Sequence, residues 1–448
     1  MKRKAQGPSQ LAHLFLAMAE QLGVRSDREL AAIAGVSIET VANWRTGAVQ
    51  ELKPQKLAAI EAGLGARINA LRERARTLGA DPDSGLVPLE VEESSSPAEL
   101  QRQLRERVHY DYLGHRFLYY DPQGALAWES LIGQGYEQDC WLEGVNGCAR
   151  QWLNPARDAR GGLKGPLAEA LGFDRKGRAR GLDVVSLGPG EGSKEVIVLE
   201  RLVELERQCE QQLTWQTHAL VDVSVSLLLR AATAAYRAVA RYDLQHVHVL
   251  PFCGDFEEGS LAFAGRLPTS QGSDGLRLVL VLGNVFGNVR DEEVFVRQKL
   301  ERLVRPGDLL WLEVGLRPDN LRDDPLYRLT ESGREETASE AHRRLLLEGP
   351  YRRWEAGLGR TPTSLGMRVW IREDDDSSRV PGSCNFCHDL ILEAERRALT
   401  MLYSRRYEVE GLTAWLEEHG YEVLRLARVS DSKKRPRVAH LLVRRSGG

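Results

Sequence analysis

The chain has 448 residues, 42% of them hydrophobic and 28% charged, with a formal net charge of −3. That length exceeds a single ordinary core and predicts roughly two to four domains. No run of about eighteen apolar residues occurs, and Leu11–Met18 is broken by His13, so neither a membrane span nor a signal peptide is expected and the expected location is cytoplasmic. In chain order, helical apolar spacing comes first, at Leu11–Leu22. Ser26, with Glu29 three residues on, forms a capping-box pattern and predicts a helix over Asp27–Ala34 that stops at Gly35. Ser37 caps a helix over Ile38–Arg45 that Gly47 ends, Pro54 opens another that reaches Gly63, and an Arg-rich helix follows over Ala66–Thr77. Residues 1–80 thus read as an all-α domain, and they hold 12 Lys and Arg against 7 Asp and Glu on an otherwise acidic chain.

Residues 81–100 are rich in acid, Pro and Ser and read as a linker. Residues 101–180 are helical and aromatic-rich. From residue 181 short apolar runs alternate with helical stretches, which predicts a doubly wound α/β sheet of Rossmann type over 181–316. Its strands are placed at Leu182–Leu187, Ala219–Val223, Val247–Leu250, Leu276–Leu282 and Asp308–Val314. Residues 317–400 lack the alternation and read as an accessory region. Residues 401–448 supply a helix at Val409–His419 and two closing strands of the core, Tyr421–Leu426 and Val438–Val443.

The first strand runs into Gly188-Pro189-Gly190-Glu191-Gly192-Ser193-Lys194. Glycines there allow a tight turn and close approach of backbone to a ligand. The second strand ends at Asp222, an acid able to accept both hydroxyls of a ribose. The third ends in Gly254-Asp255-Phe256, an acid and an aromatic suited to the amino group and ring of an adenine. Open α/β sheets bind ligands at the carboxyl ends of their strands, so the three tips together predict a nucleoside site. A Walker loop is excluded, because Lys194-Glu195 stands where Lys-Ser/Thr is needed.

Gly188-Pro189-Gly190, Asp222, Gly254-Asp255-Phe256, Gly283-Asn284-Val285-Phe286-Gly287-Asn288 and Pro306-Gly307-Asp308 together resemble the histidine-specific methyltransferase family. The tail from Tyr403-Ser404-Arg405-Arg406-Tyr407 to Tyr421 is similar to it as well. The resemblance implies S-adenosylmethionine as cofactor. It implies that Gly188 and Lys194 meet the methionine part, that Gly190 of the same turn binds the cofactor, that Asp222 meets the ribose, and that Asp255 and Phe256 clamp the adenine. Gly283 would lie near the sulfonium, and Asn288 and Tyr327 would hold an amino-acid acceptor. The chain departs from the family at Gly283-Asn284-Val285, where Gly-Ser-Thr is usual, and has no Glu-x-Met-x-x-x-Ser stretch. The acceptor therefore stays open between an amino acid and a related small molecule.

Arg28 to Arg45 resembles a phage-repressor helix-turn-helix, with Ala31, Gly35 and Val41 at the close crossing. That resemblance implies DNA contact through Ser37, Glu39, Thr40, Asn43 and Arg45, or partner docking, and pairing as a homodimer. Three readings follow: a small-molecule N-methyltransferase with an attached module, a cofactor-sensing transcriptional regulator without catalysis, and a methyltransferase acting on a macromolecule. Neither a Pro-Pro-aromatic motif after the fourth strand nor a Pro-Cys pair is present, which excludes the signatures of the common DNA methyltransferases. Cys384-Asn385-Phe386-Cys387-His388 reads as buried reduced thiols with no metal; a zinc site completed by Cys140 and Cys148 is the alternative.

Overall fold

The computed structural model describes residues 26–45, 60, 62–63, 89–133, 138–153, 156–157, 163–173, 179–331, 337–359, 365–374 and 378–447. The expected helices at Leu11–Leu22 and Ala66–Thr77, the stop at Gly47 and the side chains of Glu29 and Arg45 lie outside that set. Of the helix expected to reach Gly63, residues 60 and 62–63 are described, and they are helical.

The helices Asp27–Ala34 and Ile38–Arg45 form where expected. Gly35 makes the turn between them at φ +60°, a conformation that favours glycine. The Ser37 hydroxyl accepts the backbone N–H of Thr40 at 3.2 Å, a cap for the second helix. Leu30, Ala34, Val41 and Trp44 are buried and belong to one apolar cluster with Leu228 and Ala232 of the helix Val225–Tyr242.

The chain then contributes β1 (Glu90–Val91), β2 (Gly181–Leu187), β3 (Gln216–Asp222), β4 (Val247–Cys253), β5 (Gly275–Val281) and β6 (Leu309–Gly315). An accessory sheet follows with β7 (Gly366–Arg372), β8 (Cys384–Leu392) and β9 (Arg397–Arg406), and the chain closes with β10 (Tyr421–Ser430) and β11 (Pro436–Arg445). The large sheet has the order β1-β4-β3-β2-β5-β6-β11-β10. Strands β1 to β6 pair in parallel, whereas β11 and β10 run antiparallel at one edge. Every residue of β2, β3, β5 and β6 is buried, as expected of parallel strands covered on both faces. Alternate residues serve different cores: Val185 and Leu187 pack on one side, Leu182 and Val184 on the other. This is the doubly wound α/β sheet the alternation predicts.

Two expected segments differ. The stretch read as a linker contains β1, which pairs with β4, and the start of the helix Pro97–Arg107. The cause is local: Leu89 is buried, the Glu92 N–H bonds the Cys253 carbonyl at 2.8 Å, and Ser96 caps the helix. Residues 401–406, expected in the core, instead complete β9 of the accessory sheet β9-β8-β7. Leu399 and Met401 alternate toward Leu346, Leu347 and Tyr351 of the helix Ala338–Gly357, so burial against that helix decides their sheet. Among the described residues no helix is long and apolar enough to cross a membrane.

Candidate active site

The strand tips of β2, β3 and β5 open on a cavity of about 160 Å³. β2 delivers the glycine turn, where Gly188, Gly190 and Gly192 take φ of +69°, +57° and +87°. Left-handed backbone at three of five positions explains the glycines. Gly192 is also required by contact, because a Cβ there would lie 2.6 Å from the Ala231 Cα. A Cβ on Gly190 would project to 3.7 Å from the Trp128 Nε1, at the cavity wall.

Asp222, at the end of β3, is buried and lines the cavity. It accepts the Ser224 N–H at 2.8 Å and the Gly190 N–H at 3.4 Å. Burial pushes its carboxyl up to about 6, against these N–H groups and His115, which favour the charged form. Phe256 lines the same cavity, and its ring faces Gly188 at 3.5 Å from where a Cβ would stand. Asp255 does not line it. Its carboxylate takes the Arg116 guanidinium at 2.6 Å and the N–H groups of Glu257 and Glu258. Burial opposes the charge on Asp255, but Arg116 and those N–H groups hold its carboxyl below the usual range.

Lys194 lines the cavity and pairs with Glu313 of β6 at 2.9 Å. Glu313 is fully buried and also accepts the Gly283 N–H. Burial pushes its carboxyl up, while Lys194 and the Gly283 N–H favour its charged form. Glu313 therefore ties the glycine turn's lysine to the backbone at Gly283. Behind it, His440 Nε2 lies 3.6 Å away and burial lowers that imidazole to about 3.

A second, smaller cavity adjoins the first. Gly283, Asn288, Tyr119 and Trp128 line both. Asn284 holds Asn288 by donating to its side-chain oxygen at 3.2 Å, and Asn284 in turn accepts the Gly315 N–H at 2.9 Å. Leu131 and Trp141 add to the wall, and the helix Ala338–Gly357 and β9 contribute Arg343, Leu402, Ser404 and Arg406.

The structure thus brings Gly188, Gly190, Lys194, Asp222, Phe256, Gly283 and Asn288 to one place. Tyr327 is not among them. It sits in the short 3-10 turn Tyr327–Thr330 and packs with Leu326, Val369 and Phe386. Asp324, three residues earlier, reaches the site's edge by pairing with Arg406 at 2.8 Å. Ser37 and Glu39 are exposed and Thr40 and Asn43 half-buried on the N-terminal helices. Cys384 and Cys387 are buried free thiols, each pushed up to about 12 by burial. Among the described residues no three His, Cys, Asp or Glu are grouped to hold a metal ion.

Sequence reasoning misses Trp128, Glu313, Arg343 and Arg406. Glu313 does leave a signal, as the lone charge in the apolar run Leu309–Gly315.

Successive parallel strand tips around a glycine turn, a buried carboxylate and a phenyl ring define a nucleoside-binding α/β core. Residues 169–322, which carry those tips, match the family described as histidine-specific methyltransferase, SAM-dependent. The protein is an S-adenosylmethionine-dependent methyltransferase, and S-adenosylmethionine is its cofactor. No curated protein matches the chain. Solved structures similar to it include the 1,6-didemethyltoxoflavin-N1-methyltransferase of Burkholderia thailandensis, at 10% identity and TM-score 0.29 over 60% of this chain and 72% of that one. The CcbJ methyltransferase of Streptomyces caelestis is similar at 15% identity and TM-score 0.29, over 63% of this chain and 93% of that one. The magnesium protoporphyrin IX methyltransferase of Synechocystis PCC 6803 is similar at 13% identity and TM-score 0.27, over 59% and 73%.

Proposed function

We propose that the protein methylates the nitrogen of an amino acid or related small molecule held in the smaller cavity. The observation that carries this is the wall shared by the two cavities, where Gly283 and Asn288 face both. The residues present fit the adenosyl cofactor: a turn whose Gly188 and Gly190 would aim a Cβ at the cavity-lining Val285, Phe256 and Trp128, and a buried carboxylate suited to a ribose diol. In this reading Gly188, Gly190 and Lys194 hold the methionine part, Asp222 the ribose and Phe256 the adenine ring. Asp255 supports the adenine loop through Arg116.

The cofactor supplies an activated methyl group on a sulfonium. Transfer would exchange the C–S bond for a C–N bond, leave the electron pair on sulfur and release one proton from the nitrogen to solvent. The protein's part is alignment and exclusion of water. Asn288, fixed by Asn284, orients the acceptor, and Trp128 and Tyr119 close the junction. The test is methyl transfer from radiolabelled S-adenosylmethionine to a panel of amino acids. In Asn288→Ala, turnover falls about 100-fold while affinity for S-adenosylhomocysteine stays within about twofold. Unchanged turnover in that variant would refute the reading.

The N-terminal helices are assigned to DNA or a protein partner, through Ser37, Glu39, Thr40, Asn43 and Arg45, as a homodimer. Support comes from the buried Ala31, Ala34, Val41 and Trp44, beside which Ser37 and Glu39 are exposed. Fluorescence anisotropy of the full chain with duplex DNA at two salt concentrations tests this. Binding that weakens steeply with salt supports DNA, and its absence at low salt directs attention to a protein partner.

A further inference from the structure

One short segment both withdraws Asp255 from the larger cavity and puts another polar group in its place. Gly114, at φ +99°, turns the chain into the short helix Arg116–Tyr119. The Arg116 guanidinium meets one oxygen of the Asp255 carboxylate at 2.6 Å. The N–H groups of Glu257 and Glu258 occupy the other oxygen at 2.8 and 3.1 Å. Both oxygens are engaged away from the cavity, whose described lining includes Phe256 but not Asp255. An adenine stacked on Phe256 does not meet that carboxylate in the wall.

His115, next to Arg116, takes the opposite course and lines the cavity with Phe256 and Asp222. Its ring centroid lies 6.1 Å from that of Phe256, with the planes 38° apart, so the two rings are neighbours on the wall. Its Nδ1 is buried and lies 3.3 Å from a carboxylate oxygen of Glu257, an electrostatic contact without the alignment of a hydrogen bond. Glu257 is itself held in place, because its other oxygen accepts the Arg290 N–H. Burial pushes the Glu257 carboxyl up, and His115, first among the opposing groups, favours its charged form. A carboxylate only accepts, so it favours the imidazole proton on Nδ1. Nε2 is then the ring nitrogen left for the cavity, with a lone pair in place of an N–H. Only 11% of this side chain is exposed, and an acceptor so far withdrawn from water is costly to leave unpaired.

We propose that His115 Nε2, and not Asp255, accepts the adenine amino group and so selects an adenine nucleoside for the cofactor site. This rests on the placing of adenine against Phe256, and it adds the group that reads the edge of the base. A hypoxanthine base presents a carbonyl oxygen where adenine presents the amino group, and two acceptors then face each other.

The test titrates the full-length protein calorimetrically with S-adenosylhomocysteine and with S-inosylhomocysteine, its hypoxanthine counterpart. A buffer at about pH 8 keeps Asp222 above the range in which it takes up its proton. The expected result is that the inosine ligand binds about tenfold to hundredfold more weakly. His115→Phe brings the two affinities within about threefold, and His115→Gln, which keeps an acceptor, retains part of the preference. Both variants bind S-inosylhomocysteine at least as well as the wild type, which shows that they fold. Equal affinities in the wild type would overturn the proposal, and so would a preference that His115→Phe keeps. In that second case an equal loss of both ligands would set the imidazole against the ribose, and loss of the preference in Asp255→Asn would return the amino group to Asp255. Phe256→Ala separates the two readings. Unchanged affinity for both ligands removes the placing of adenine and this inference with it, whereas weakened binding of both, beside a preference that ignores His115, removes this inference alone.

Discussion

The two cavities are built differently. The larger one is assembled at the tips of β2, β3 and β5, where the glycine turn, Asp222 and Gly283 each follow directly from the end of a strand. The smaller one takes its walls from the helix Pro122–Gly133, the helix Ala338–Gly357 and β9, which lie far apart in the chain. Fold geometry dictates the first, since a parallel sheet places its strand ends side by side whatever the helices between them do. The second depends on how the accessory sheet docks, and its chemistry can change without disturbing the core. Cofactor use and acceptor choice are thereby separated in the architecture.

The separation can be broken hardest from below. Glu313→Gln leaves Lys194 buried beside a neutral amide and loosens the Gly283 backbone that both cavities share. A loss of about 3 kcal/mol in stability is expected, read by urea unfolding, with cofactor and acceptor affinities weakened together. If only one affinity moved, Glu313 would belong to that cavity alone.

Asp222→Asn acts on the larger cavity only. Affinity for S-adenosylhomocysteine is expected to fall about 100-fold by calorimetry, because the amide loses the charge and puts an NH2 donor where one of the two acceptor oxygens stood. The wild-type protein adds a pH dependence of known sign. The Asp222 carboxyl, pushed up to about 6 by burial, must lose its proton to accept the ribose hydroxyls. Affinity therefore drops below pH 6, by up to about tenfold per pH unit, and is level above it. The stability of the ligand-free protein follows the opposite course. The folded state holds this proton more tightly than the unfolded chain, so the contribution is present at low pH and is lost as pH rises through about 6. Asp222→Asn abolishes both dependences.

The smallest effect is expected at Tyr327→Phe, which removes a hydroxyl outside both cavities. Turnover and both affinities stay within about twofold, and stability changes by about 0.5 kcal/mol or less. A large rise in KM for the acceptor would return Tyr327 to the acceptor site.

Much of the larger cavity is legible in the amino-acid order. The Gly188 turn, Asp222 and Phe256 follow from strand ends, because a ligand-binding tip is defined by a few consecutive residues. Asp255 illustrates the limit: its position at a tip is readable, but its pairing with Arg116 is not, since Arg116 comes from a distant helix. The closing strands β10 and β11 extend beyond the bounds that apolar patterning predicts. Leu426 is exposed on β10, so apolar pattern alone does not mark where that hairpin ends.

The sequence by itself determined the parallel sheet, the order of its ligand-bearing tips and the class of cofactor, because each follows from short-range pattern and the fixed geometry of a strand. Only the tertiary structure decided that β9 leaves the core for the accessory sheet and that Arg343 and Arg406 line one cavity with Asn288. Burial against the helix Ala338–Gly357 and the register of β8 with β9 set those neighbours, and both are contacts between residues that no local pattern connects.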